Sequence, residues 1–222
     1  MAGCAKTESS DLLTSGIYAD LEAHATNNGQ TTVSATLYVD DPSNLNFVEL
    51  TGDDQLTATT GSDHMTLEQS ELGNIVSHTA VFPVDAAGTE FDIAFDRSVD
   101  DGAPKSSVVL PDKFDPGPAP ATASRAAPVT LTWSPAGSAD TMVWVASGTC
   151  VTATAGTITG DTGSVTIPAA TFTKPAGQGV ADSCMLTLTI TRKRMGTVDA
   201  HYGKGGLALG AQDRTMTWMS MP

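Results

Sequence analysis

The chain has 222 residues, 25 acidic and 11 basic, for a formal net charge of −14 and a pI near 4.3. So acidic a protein repels phosphate backbones, which excludes nucleic acid as a partner and disfavours binding to an anionic membrane surface. Hydrophobic residues reach 40%, enough for a core. No apolar run approaches the roughly 18 residues that a membrane-spanning helix needs. The charge is uneven: residues 1–120 carry 14 Asp and 6 Glu against Lys6, Arg97, Lys105 and Lys113, whereas residues 121–222 carry 5 Asp against 7 Lys and Arg. That asymmetry points to two units with different surfaces.

The chain opens Met1-Ala2-Gly3-Cys4. This resembles the end of a bacterial lipobox, usually Leu-Ala-Gly-Cys, with Met1 in the Leu position and no charged or apolar signal segment before it. The resemblance implies cleavage before Cys4 and attachment of lipid to that residue. Ala5 follows in place of the Asp that commonly signals inner-membrane retention, so the resemblance implies an outer-membrane lipoprotein facing the periplasm or the cell surface. The polar run Lys6-Thr7-Glu8-Ser9-Ser10-Asp11 reads as part of a flexible tether over 1–15.

No window shows the i, i+3, i+4, i+7 pattern of an amphipathic helix, whereas period-two alternation recurs throughout. Tyr18–Thr26 and Thr31–Val39 flank an Asn28-Gly29 turn and predict a hairpin, with Val33, Ala35, Leu37 and Val39 on one face. Further strands are expected at Phe47–Leu50, Gln55–Thr59, Met65–Gln69, Ile75–Phe82, Glu90–Phe95 and Ser106–Leu110. Four prolines in 111–121 then break the pattern, since proline cannot sit in a central strand. Alternation resumes at Val129–Trp133, Asp140–Thr149, Gly163–Ile167, Cys184–Thr191 and Arg214–Met221.

Short strands at this spacing predict an all-β fold: two tandem immunoglobulin-like antiparallel β-sandwiches, an acidic one over 16–111 and a second over 127–222, joined by a Pro-rich linker over 112–126. Cys150 and Cys184 fall on separate strands of the second unit, which resembles the immunoglobulin pattern. Trp133 and Trp144 both precede the first cysteine, which departs from it. A Cys150–Cys184 bridge would leave Cys4 as the odd cysteine and requires an oxidising compartment.

No metalloprotease, nucleophile-elbow or phosphate-loop motif is present. His24, His64, His78 and His201 read as surface or strand residues, each able to meet an Asp by chance. The glycine-rich Gly203–Gly210 reads as a hairpin loop. Met216, Met219 and Met221 split across two strand faces and read as core filler rather than copper ligands. Calcium is the one cofactor with a candidate site: Asp100, Asp101, Asp112 and Asp115 fall at turns near the linker, although Asp also favours turns for its own sake. Arg192-Lys193-Arg194 reads as a charged guard at a strand end. The expectation is a non-catalytic, lipid-anchored envelope module that presents loops to a protein or glycan. The alternatives are an assembly accessory of a secretion, pilus or coat system and, third, a hydrolytic enzyme.

Overall fold

A computed structural model describes residues 5–222. Among these, eighteen strands follow one another with three short 3-10 turns and no α-helix. They are β1 (Ala5–Glu8), β2 (Ile17–Ala25), β3 (Thr31–Val39), β4 (Asn46–Glu49), β5 (Gln55–Thr60), β6 (Asp63–Thr66), β7 (Glu68–Leu72), β8 (Ile75–Phe82), β9 (Glu90–Asp96) and β10 (Ala103–Val109). There follow β11 (Asp115–Pro116), β12 (Thr122–Ser124), β13 (Val129–Ser134), β14 (Thr141–Gly148), β15 (Val151–Ile158), β16 (Ser164–Ile167), β17 (Cys184–Met195) and β18 (Gly206–Met221). The fold is all-β, as the alternation predicts.

Contacts divide the chain into two compact units. Unit 1 takes the chain up to Leu110 together with Arg194–Ala211, and unit 2 takes Pro111–Lys193 with Gln212–Pro222. The stretch 127–222 is therefore not one unit: β17 and β18 each pass from one unit to the other along their length.

Unit 1 is built from two sheets. One runs β1-β4-β3-β2 and continues with the first part of β18, and β8 pairs with β3 and with β7. The other runs β10-β9-β5-β6. Strict alternation in β2 buries Ile17, Ala19, Leu21, Ala23 and Ala25, which leaves Tyr18, Asp20, Glu22 and His24 on the outer face. Leu56, Phe91, Ile93, Phe95 and Val108 of the second sheet join the same core, so the two sheets pack in the manner of a sandwich.

The start of unit 1 differs from the expected tether. Ala5–Glu8 pair in parallel with Asn46–Glu49 as β1. The Lys6 ammonium reaches Glu49 at 3.0 Å and Glu71 at 2.9 Å, and Ser9 is buried. A polar segment of this kind is held by main-chain pairing and charge rather than by apolar burial, which is why its sequence reads as unstructured. Cys4 lies outside the described residues.

Unit 2 has a sheet in which the last part of β18 lies between β12 and β17, followed by β14 and β15. Its second sheet is β11-β13-β16. The core holds Phe114, Leu131, Trp133, Trp144, Leu188 and Trp218. Phe172 joins the aromatic set, edge-on to Trp144 at 6.0 Å and to Trp218 at 6.2 Å. Gly156 of β15 leaves room for the Trp144 ring, since a Cβ there would lie 2.7 Å from ring atoms. Cys150 and Cys184 form a disulfide with 5.6 Å between Cα atoms.

The expected linker is also structured. Phe114 is fully buried, Pro116 of β11 sits opposite Trp133 at a sheet edge, and β12 pairs with β18. Proline is tolerated there because an edge strand does not need every N–H. Nor is Arg192 a strand-end guard. It lies in β17, between β18 and β14, with its side chain buried. Its Nη2 donates to Asp161 Oδ2 at 2.6 Å and to the Pro135 carbonyl at 3.0 Å. Its Nη1 donates to the Asp112 and Lys113 carbonyls at 2.9 and 3.3 Å. Its guanidinium stands 4.9 Å from the Phe114 ring centroid. Asp161 also accepts from the indole N–H of Trp133 and from the Ser138 amide.

Removing one partner of such a pair strands a buried charge, which costs about 3–5 kcal/mol. Asp161→Ala is expected to lose that much in urea unfolding, whereas exposed Asp182→Ala, whose partner Lys174 is at the surface, leaves the unfolding midpoint nearly unchanged.

Candidate functional site

The richest polar cluster lies among the loops of unit 1. Leu13, Thr14, Ser15, Asp100, Asp101 and His201 line a hollow of about 170 Å³. A second hollow of about 370 Å³ shares Asp101 and His201 and adds Phe95, Asp96, Arg97, Gly102 and Pro104. Leu13 and Val99, which neighbours Asp100 in the chain, are exposed apolar side chains.

The cluster rests on Arg97, which follows β9 and whose side chain is buried. Its Nε donates to Asp54 Oδ2 at 3.0 Å, its Nη1 to Thr14 Oγ1 at 3.0 Å, and its Nη2 to the Ser9 carbonyl. The guanidinium lies 5.2 Å from the Phe95 ring centroid, and Tyr202 stacks on that ring with an interplanar angle of 1°. Asp100 Oδ2 accepts from the Thr14 amide at 2.6 Å and lies 3.6 Å from Arg97 Nη1. The Thr14 amide, with the Arg97 charge as a smaller contribution, holds the Asp100 carboxyl below its ordinary value.

Opposite them, Asp199 fixes the imidazole. His201 Nδ1 is 2.7 Å from Asp199 Oδ1, and the His201 amide donates to the same oxygen at 2.9 Å. The Lys105 amide donates to Asp199 Oδ2 at 2.6 Å. Burial pushes the Asp199 carboxyl up, but the hydrogen bonds from His201 and Lys105 outweigh it and hold the carboxyl below its ordinary value. The imidazole is half exposed while its carboxylate partner is buried. A carboxylate bound to one ring nitrogen is the orienting half of a hydrolytic triad. The Thr14 hydroxyl in the same hollow is engaged elsewhere: it donates to the Asp101 carbonyl at 2.6 Å and accepts from Arg97.

Of the four candidate calcium ligands, Asp100 and Asp101 belong to this cluster. Asp112 and Asp115 lie in unit 2, the first giving its carbonyl to Arg192 and the second pairing through its backbone with Ser134. Among the described residues no group of three or more His, Cys, Asp or Glu is placed to hold a metal ion. His64 meets Thr59 Oγ1 at 2.9 Å, and buried His78 meets Gln69 Oε1 at 3.1 Å. Met216 is buried in the unit 2 core, as a filler should be. Asp199 and Arg97 were invisible as site residues in the sequence. The only trace was the Asp199-x-His201 spacing, which chance produces easily in so acidic a chain.

No family model matches the chain, and no curated protein matches it. Among solved structures it is similar to a crystal structure of an ICAM-5 D1–D4 ectodomain fragment, with 10% identity and a TM-score of 0.21. The match covers 88% of this chain and 49% of that one, so the chain spans about half the length of the fragment. At that score the likeness carries no inference about function.

A second polar group lies on the outer face of β2. Asp20 Oδ1 is buried without a hydrogen-bond partner. Burial, reinforced by the charge of Glu22, pushes the Asp20 carboxyl up to about 6, against a smaller opposing pull from His24. A carboxyl raised in the folded state binds protons that the unfolded chain has released, so stability falls as pH rises from about 4 to about 6. Asp20→Asn is expected to raise the melting temperature at pH 7.5 by the equivalent of about 1 kcal/mol after allowance for solvent screening, with the gain vanishing at pH 4. Calorimetric melts of both proteins across this range check the sign.

Proposed function

We propose that the chain is a non-catalytic binding module of the bacterial cell envelope, lipid-anchored at Cys4, and that its unit 1 cleft takes a basic segment of an envelope protein. The observation that carries this reading is the pair of carboxylates Asp100 and Asp101 beside His201, flanked by exposed Leu13 and Val99, with Asp100 held by the buried Arg97. Clustered carboxylates attract and orient a cationic partner, and adjacent apolar side chains add contact area once it has docked. Preorganisation matters because a rigid site loses less freedom on binding. The Cys150–Cys184 disulfide supports an oxidising compartment outside the cytoplasm.

Asp101→Lys tests the reading, because this residue is exposed and its role in the fold runs through its backbone carbonyl. The full chain, immobilised, is expected to capture an envelope protein at low salt and to release it as salt rises. The variant loses the capture while its melting temperature stays within about 1 °C. Capture that ignores both salt and Asp101→Lys would overturn the proposal.

A second reading, an assembly accessory, is favoured by β15. This strand ends its sheet and carries neither charge nor proline, the usual protections of an exposed edge. If it recruits a further strand, the full chain self-associates in sedimentation at high concentration and Ala155→Lys abolishes that. A monomer at all concentrations removes this second reading in its self-assembling form.

A further inference from the structure

We propose that the end of unit 1 where β1 begins is a membrane-contacting rim, in which Leu45, Leu72 and Ile75 dip into the lipid interface. The inference rests on the anchoring of Cys4 proposed above and names the surface that such an anchor would bring to the bilayer.

Three observations converge. First, Leu72 is 80% exposed, Ile75 44% and Leu45 43%, high values for side chains of this kind. Leu72 and Ile75 are paired across the tip of the β7–β8 hairpin, either side of Gly73-Asn74, where polar residues are the rule. Second, hydrogen bonds bring the segments that carry these residues to one end. The Ala5 amide donates to the Leu45 carbonyl at 3.1 Å. The Leu50 amide donates to Gln69 Oε1 at 3.0 Å, while the next residue of β1, Lys6, reaches Glu71 at 2.9 Å. β7 thus runs from the Leu50 end of β4 towards its Leu45 end and delivers its tip beside the start of β1. Third, β1 begins at the residue immediately after Cys4, and it is strand rather than slack chain. A lipid on Cys4 would leave no spacer between this end and the membrane.

The electrostatics of the rim suit a zwitterionic surface. Lys6 lies between Glu49 and Glu71, and these bonds raise its pKa, while Lys6 in turn lowers that of Glu71. Both shifts keep the ion pair charged, and Lys6, shared by the two carboxylates, offsets one of their two negative charges beside Leu72. The small apolar area gives little affinity by itself. Beside an anchor it acts at high effective concentration and fixes orientation rather than attachment.

The test separates the rim from the anchor. Chain coupled through Cys4 to maleimide-bearing phosphatidylcholine vesicles is anchored whether or not cells acylate it, since the other two cysteines are bonded to each other. Tryptophan introduced as Leu72→Trp reports depth through quenching by lipids brominated on their acyl chains, against native Trp133, Trp144 and Trp218, which are all buried. The control is Val81→Trp, another exposed position of β8 (49%), about 20 Å along the strand from Ile75 at 3.3 Å per residue. Quenching of Leu72→Trp at least threefold stronger than that of Val81→Trp is the expected result. Equal quenching, or none at Leu72→Trp, overturns the rim. So does loss of Leu72→Trp exposure through a concentration-dependent dimer, which would assign the apolar end to a second copy. Mass measurement of the N-terminal peptide from expressing bacteria tests acylation independently.

Discussion

A buried guanidinium must find acceptors for its N–H groups, because none reaches water; each unit of this protein is arranged around that requirement, although the Nε of Arg192 is left without a partner. In unit 1 the donors of Arg97 reach the Ser9 carbonyl, the Thr14 hydroxyl and the Asp54 carboxylate. These residues are scattered over the first hundred positions, and the arginine brings them together. In unit 2 Arg192 does the same for the carbonyls of Asp112, Lys113 and Pro135 and the carboxylate of Asp161. Segments with little apolar content of their own, such as 9–16 and 111–116, are thereby fixed by polar contacts.

The loop chemistry follows from this. A β-sandwich core specifies the strands but leaves its loops to find their own constraints. In unit 1 Arg97 reaches the loop before β2 while remaining 3.6 Å from Asp100, so the acidic cleft inherits the rigidity of a buried residue. Asp199 plays the matching part for His201, through two main-chain amides and a ring nitrogen. Carboxylates at both depths thus hold backbone: buried Asp199 takes the Lys105 and His201 amides, and the more exposed Asp100 takes the Thr14 amide.

Period-two alternation made most strands readable. β2, β3, β9, β13 and the first part of β17 fall where their apolar faces put them. What escaped has a physical pattern of its own. β15, with its Thr-Ala-Thr-Ala-Gly run, has too little apolar contrast between its faces. The first part of β18 is glycine-rich and reads as a loop, yet it is a strand. β1 and β11 carry polar or proline residues and sit at sheet edges, where main-chain pairing suffices. Met65–Gln69 reads as one strand but is broken between Thr66 and Glu68 into β6 and β7. The site was less readable than the fold, because a charged residue is read as surface until its partners are known. Arg97 and Arg192 invert that reading, and their partners are dozens of residues away.

The passage of β17 and β18 through both units has a bearing on how the molecule is made. Unit 1 includes Arg194–Ala211, so its first hundred or so residues leave the ribosome as an incomplete sandwich. Unit 2 in turn lacks Gln212–Pro222 until after the second segment of unit 1 has been made. The usual benefit of multidomain chains, in which the first domain folds while the next is being synthesised, is therefore denied to this one. Both units therefore stay open to chaperones, to proteases and to each other's unpaired strands until residues 194–222 are available.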